Sequence, residues 1–228
     1  MSADRQADGA QTLERGLRAL RLLAETPAGL TASEVSRALG IHRSVAYRLL
    51  MTLVRERFAS RDAEARYRAG AELVRLAEHV RPALREVAEP LLKELARQLD
   101  AVACLMVRDG DEVVAISVVE PPSPGPRLSY RLGSRDPLAQ GAGGIAVLAA
   151  EPPSPDELPR VRTARAAGYV LSSGEVLPGA HAIAAPILAR HPEGPACVTL
   201  ITHRREVAQA AIEPVMDVAR RIASALTP

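Results

Sequence analysis

The 23 residues from Thr31 to Leu53 constrain the fold most. Thr31-Ala-Ser-Glu34 has the spacing in which a hydroxyl and a carboxylate satisfy each other's backbone donors at a helix start. Val35 and Leu39 then fall on one face of a short helix. Gly40 can adopt the left-handed backbone that ends it, and Ile41 packs inward at the turn. From His42 helical spacing resumes through Val45, Leu49 and Leu53. A helix, a glycine turn and a second helix make a helix-turn-helix over 31–53. In such a motif the second helix is braced on one face and free on the other to enter a DNA major groove. With Val45, Leu49 and Leu53 inward, Arg43, Ser44, Tyr47, Arg48 and Met51 turn to the outside or its margins. Arg43 is placed for bidentate contact with guanine, Ser44 and Tyr47 for hydrogen bonds to phosphate or a base edge, and Arg48 for phosphate. Arg48 lies close enough to the inner stripe to brace the fold instead.

A helix with Leu13, Leu17, Leu20 and Ala24 on one face precedes this motif and stops at Thr26-Pro27. After it, Phe58 and Tyr67 flank the polar segment 60–65, which predicts a β-hairpin with a charged tip: a wing over 55–68, with Arg61 and Arg66 able to reach DNA backbone or a minor groove. The winged domain is thus expected at 11–70, after a disordered tail at 1–10. Residues 1–70 hold 12 Arg against 8 acids, and the rest of the chain 17 basic residues against 19 acids. That excess permits nucleic acid as a partner without demanding it. The competing reading is a helical hairpin whose arginines are solvated or paired with acids.

A stripe of Leu73, Leu76, Ala77, Val80 and Leu84 predicts a linker helix over 71–84, kinked by Pro82, and Leu84, Val87, Leu91, Leu95 and Leu99 carry a second stripe into a domain at 85–228. From Ala101 the runs AVACLMV and EVVAISVV, separated by Arg108-Asp-Gly-Asp111, signal an antiparallel hairpin. Further strands are expected at 127–131, 182–188 and 196–202. Helices are expected from a glycine-rich turn through Ala149 and along Val207, Ala211, Val215, Val218, Ile222 and Leu226. Irregular alternation of strands and helices makes the class α+β. Cys104 and Cys197 sit in apolar runs without a second thiol or histidine at ligand spacing, so both are expected as buried hydrophobes, with no metal and no cofactor. No apolar run approaches a membrane span, and a cytoplasmic protein without a membrane partner is expected. Gly141-Ala-Gly-Gly-Ile-Ala146 matches a dinucleotide fingerprint in form only, since the preceding strand and following acid are missing. It leaves a helix start of small residues, suited either to a small anion or to close helix-sheet packing. Neither it nor the cysteines has a base or phosphate lysine, so no enzyme is expected.

These segments resemble the IclR family of bacterial regulators over nearly the whole chain. Arg15-Gly-Leu17 is similar to the family's Arg-Ala-Leu element, and Gly40-Ile-His-Arg-Ser-Val-Ala-Tyr-Arg-Leu-Leu50 to its recognition helix. Tyr67-Arg-Ala-Gly70 resembles its wing end, and Pro137–Ala149 and Gly168–Pro186 its effector-pocket elements. His42 stands where the family has proline, Val45 where it has threonine, Ala139 where it has histidine and Ile145 where it has lysine. The resemblance implies a GAF-like effector-binding domain behind the winged helix-turn-helix, with a pocket lined by Ala142, Gly143, Ser172, Ser173, Glu175 and Thr199. Cys197 and Ile201 share Thr199's strand face, so one of the three is open to being core, and Glu175 is open to being a surface salt bridge. The implied partners are a pseudo-palindromic double-stranded operator, a small organic effector such as a carboxylate or aromatic metabolite, and a second copy of the chain in a homodimer or dimer of dimers. Without lysine at 145 and with no arginine among these residues, a neutral or weakly acidic apolar effector fits as well. Family members repress or activate. The alternatives are a ligand-binding module without a DNA role or, less in keeping with the residues, a small-molecule enzyme.

Overall fold

The computed structural model describes residues 10–123, 130–188 and 194–227. The expected tail, apart from Ala10, and residues 127–129 of the strand expected at 127–131 lie outside them. The chain divides into two compact units, one ending at Val80 and the other beginning at Arg81.

In the first unit, helices α1 (Gln11–Glu25), α2 (Ala32–Leu39) and α3 (Arg43–Arg55) precede strands β1 (Ala59–Arg61) and β2 (Tyr67–Ala69) and helix α4 (Glu72–Glu78). The Thr31 amide donates to Glu34 Oε2 at 2.7 Å and the Glu34 amide to Thr31 Oγ1 at 3.3 Å, so the capping box forms as its spacing predicts. Gly40 closes α2 at φ 63°, a conformation that costs a residue with a Cβ. Ala19, Leu23, Val35, Ala46, Leu50, Ala59 and Tyr67 make one buried core. The inner stripe of α3 is therefore Ala46, Leu49 and Leu50, with Val45 and Leu53 only half-buried. It differs from the expected stripe because α3 packs against α1, α2 and β1 together, and small Ala46 admits that approach. Strands β1 and β2 pair antiparallel, and Leu30 and Tyr67 exchange backbone hydrogen bonds of 2.9 and 2.7 Å, which ties the α1–α2 connection to the wing.

The stripe expected as one linker helix over 71–84 is interrupted. Helix α4 ends at Glu78, Arg81 turns the backbone at φ 47°, and Pro82 opens α5 (Pro82–Leu99) instead of kinking a continuous helix. Proline at a first helical position forfeits no hydrogen bond, which explains the new start.

The second unit is a six-stranded antiparallel sheet in the order β5-β4-β3-β8-β7-β6. Strands β3 (Val102–Asp109) and β4 (Glu112–Val119) form the expected hairpin, and β7 (His181–Pro186) and β8 (Ala196–Thr202) the expected later pair. Edge strands β5 (Arg135–Pro137) and β6 (Val170–Ser173) have no counterpart among the strands expected from sequence. On one face α5 and α9 (Ile212–Leu226) cover Leu105, Val198 and Leu200. On the other α6 (Gly141–Ala150) and α7 (Pro159–Ala167) cover Cys104, Met106 and Cys197. A sheet buried on both faces explains why β3 and β8 read as near-continuous apolar runs. The expected last helix breaks at Ala211 into α8 (Arg205–Ala210) and α9. Helix, strand and sheet content confirm the α+β class.

Two glycines are required by contact. A Cβ at Gly70 would lie 2.2 Å from the Arg57 carbonyl oxygen, and one at Gly144 2.3 Å from that of Leu138. Gly70→Ala and Gly144→Ala are each expected to destabilise their unit by about 1 to 3 kcal/mol, as overpacking does. Urea melts check this, and unchanged midpoints would contradict the packing described.

Candidate recognition helix and ligand cavity

Helix α3 is held inward by Ala46, Leu49 and Leu50, and the side chains of Arg43, Ser44, Tyr47 and Arg48 stand on its exposed side. His42, at the family's proline position, caps the helix: its Nδ1 lies 3.4 Å from the Ser44 amide and 2.8 Å from Ser44 Oγ. Neither the Arg43 nor the Arg48 guanidinium has a hydrogen bond or ion pair among the described residues, and both residues are exposed. Tyr47 is 46% exposed, too much for a residue serving the core.

The wing arginines separate. Arg61 is exposed, with its guanidinium 5.7 Å from the Tyr67 ring centroid. Arg66, also expected to reach DNA, is half-buried: its guanidinium donates to Glu34 Oε2 at 3.2 Å, and its backbone N–H donates to Asp62 Oδ1 at 2.8 Å. The Thr31 backbone N–H and then its hydroxyl hold the Glu34 carboxyl below its ordinary value, and Arg66 adds to that effect. Arg68, on β2 and not singled out from sequence, pairs with Asp62 at 2.8 Å across the wing.

In the second unit a cavity of about 40 Å³ opens at the start of α6, and Ala142, Gly143, Ser172, Glu175 and Thr199 all line it. Ser173 does not. Alternation along β6 sends it to the other face, where its Oγ lies 2.9 Å from His181 Nδ1. Thr199 and Ile201 face the cavity, whereas Cys197 is fully buried beside them with its Sγ 3.4 Å from the Gly143 carbonyl oxygen. Burial pushes the Cys197 thiol up to about 12 and the Cys104 thiol up as well, which disfavours the thiolate of each.

Glu175 proves to be both a salt bridge and a cavity residue. Its two oxygens accept from the two Arg160 nitrogens at 2.6 Å each, and one also accepts the Gly141 N–H at 3.0 Å. The Ala142 N–H donates to Ser172 Oγ at 3.0 Å. The anion at the start of α6 is thus the chain's own, and Arg160, then the Gly141 amide, holds its carboxyl below the usual range against a partial cost of burial. Sequence reasoning missed Arg160 because it lies on α7, 15 residues away. It also missed a part-buried pair: the hydroxyl of buried Tyr130 donates to Asp136 Oδ2 at 2.6 Å at the cavity edge. Burial raises the Asp136 carboxyl above its ordinary value despite that bond, and raises the Tyr130 hydroxyl too.

A winged helix-turn-helix followed by a separate antiparallel-sheet unit with a cavity defines a two-domain winged-helix class. The profile of the IclR helix-turn-helix domain matches residues 12–63, and that of the bacterial transcriptional regulator IclR C-terminal domain matches residues 78–158. An HTH-type transcriptional regulator of Mycobacterium tuberculosis is 38% identical over 157 residues, 67% of this chain and 60% of its own length. The glycerol operon regulatory protein of Streptomyces coelicolor is 31% identical over 200 residues, 78% of each chain. The fold is similar to that of an IclR homologue from Microbacterium hydrocarbonoxydans crystallised with 4-hydroxybenzoate, with a TM-score of 0.79, 22% identity, and coverage of 95% of this chain and 99% of that one. The chain belongs to the IclR family of bacterial transcriptional regulators.

The two acids of the cavity have opposite linkage to pH. Glu175, with a depressed pKa, stabilises the native unit at neutral pH and loses that contribution as pH falls through its native value. Asp136, with a raised pKa, is best tolerated at low pH, and its burial becomes costly as pH rises through its native value. Thermal midpoints between about pH 3 and about pH 7 are therefore expected to show the deficit of Glu175→Gln growing with pH, and Asp136→Asn gaining on the native chain over the same range. Parallel curves for the three proteins would contradict both assignments.

Proposed function

We propose that this chain is a ligand-responsive transcription regulator that binds a double-stranded operator through α3 and the wing and holds a small organic effector in the α6 cavity. The observation that carries the DNA reading is the two-sidedness of α3: an apolar face anchored in the core and an opposite face with two arginines that have no partner among the described residues. Arg43 at the helix start suits a guanine edge, Ser44, Tyr47 and Arg48 suit phosphate or base edges, and Arg61 extends the contact from the wing. Arg66 serves the wing's attachment to α2. The family's regulators support the reading, as does the 4-hydroxybenzoate complex of the Microbacterium homologue for a small aromatic effector.

A pseudo-palindromic operator calls for two copies of α3. The exposed Val74, Leu76 and Val80 at the end of the first unit, together with Leu13 and Leu17 on α1, offer apolar surface for a homodimer or a dimer of dimers. No helix among the described residues is long and apolar enough to cross a membrane. The proposed site of action is the cytoplasm, on DNA, without catalysis.

The test is an anisotropy titration of the full chain against duplex from its own upstream intergenic region and a scrambled control, at two salt concentrations. Specific binding that weakens steeply with salt is expected. Arg43→Ala is expected to cost about 1 to 3 kcal/mol of discrimination, roughly tenfold or more, with folding unchanged. Arg66→Ala is expected to shift the thermal midpoint only slightly, as loss of a part-exposed ion pair does. Equal affinity for both duplexes would contradict specific recognition of that region.

A further inference from the structure

The charged side chains lining the cavity are both acidic, Asp136 and Glu175. No lysine, arginine or histidine lines it among the described residues. The nearest complementary charge, Arg160, is committed to Glu175 through both of its terminal nitrogens. The Gly141 and Ala142 amides at the start of α6 are committed to Glu175 and Ser172. A cation and free helix amides are the groups that recognise a carboxylate, and here the chain's own side chains use them.

Asp136 is differently placed. It is half-buried and accepts one hydrogen bond, from Tyr130, and no cation pairs with it among the described residues. An ionised carboxylate has about four acceptor sites, so Tyr130 leaves capacity for a second donor. A hydroxyl entering the cavity satisfies that capacity, whereas a carboxylate brings a second negative charge beside it where water screens little. The surrounding walls, Met106, Ala142, Val176 and Leu177, are apolar and suit a ring or short alkyl body. Met106 lies beneath Gly143, and its unbranched thioether chain can move to enlarge the space.

Granted that the α6 cavity is the effector site, we propose that it takes an uncharged, apolar small molecule bearing a hydroxyl group that donates to Asp136, and that it turns carboxylates away. Ammonium ligands are disfavoured too: an ammonium group gives up strong hydration on entry and brings three donors, whereas the oxygens of Glu175 are already taken by Arg160.

Calorimetric titration of the full chain at neutral pH with phenol, benzoate and benzylamine compares one ring with three polar groups. Phenol is expected to bind about tenfold or more tightly than either ion, the discrimination open to a site whose buried polar group is matched by one ligand and not by another. Asp136→Asn, which can donate as well as accept, is expected to strengthen benzoate binding and bring the two affinities to within about threefold of each other. Tyr130→Phe keeps the carboxylate and is expected to keep the phenol preference. Tighter binding of benzoate or benzylamine to the native chain, or an unchanged phenol preference in a folded Asp136→Asn, overturns the ligand class and leaves the cavity as the effector site. Failure of all three probes to bind the folded native chain overturns the effector-site reading and this inference with it. If Asp136→Asn does not fold, the order of affinities in the native chain decides.

Discussion

Helix α6 lies against its sheet across Gly143 and Gly144, and the layout of the second unit depends on that approach. A Cβ at Gly143 would meet Met106 Sδ at 2.5 Å, and one at Gly144 the backbone of Leu138 at 2.3 Å. With neither side chain present, the start of the helix comes close enough for its first amides to bond Glu175 and Ser172. The cavity is the gap left in the same layer, floored by β8 at Thr199 and Ile201 and edged by Tyr130 and Asp136. Ile145, at the family's lysine position, is fully buried in this layer. Its burial and the commitment of Arg160 to Glu175 together leave the lining acidic.

The first unit solves a different problem, that of supporting a helix on one side only. Thr31 and Glu34 cap α2, and Arg66 reaches from the wing to the same Glu34 carboxylate. These groups are partly exposed, so each interaction adds little stability. Their effect is positional: α2 and the wing are registered to one another, and the Arg43 and Arg48 guanidiniums on the outer side of α3 take no part in the bonding among the described residues. The arginines of this unit differ in their bonding: Arg66 and Arg68 pair with Glu34 and Asp62, while Arg43 and Arg48 have no partner among the described residues.

Features governed by neighbours in sequence are legible in it. The capping box, the Gly40 stop, the β3–β4 hairpin and the buried cysteines all follow from local chemistry or from unbroken apolar runs. The inner stripe of α3 departs from its leucine spacing because a helix packed by three elements has a broad inner face, on which Ala46 counts as much as leucine. Strands β5 and β6 leave little trace because they are short edges, with polar or serine-rich sequences and pairing on one side only. The break between α4 and α5 depends on a left-handed Arg81, which residue type does not announce. In the site, Ala142, Gly143, Ser172, Glu175 and Thr199 are reached through the family resemblance, and Ser173 is lost to strand alternation. Arg160, Tyr130 and Asp136 join the site only through tertiary folding, and no spacing in the sequence foretells their pairing.

The proposed reading of DNA sequence by the exposed face of α3 is tested by selection of bound duplexes from a random library with the full chain, whatever the operator's sequence or position. The expected result is enrichment of an inverted-repeat motif, with a position in each half-site that Arg43→Ala relaxes while the variant stays folded. Failure to enrich any motif at low salt, or a motif unchanged by Arg43→Ala, would contradict it.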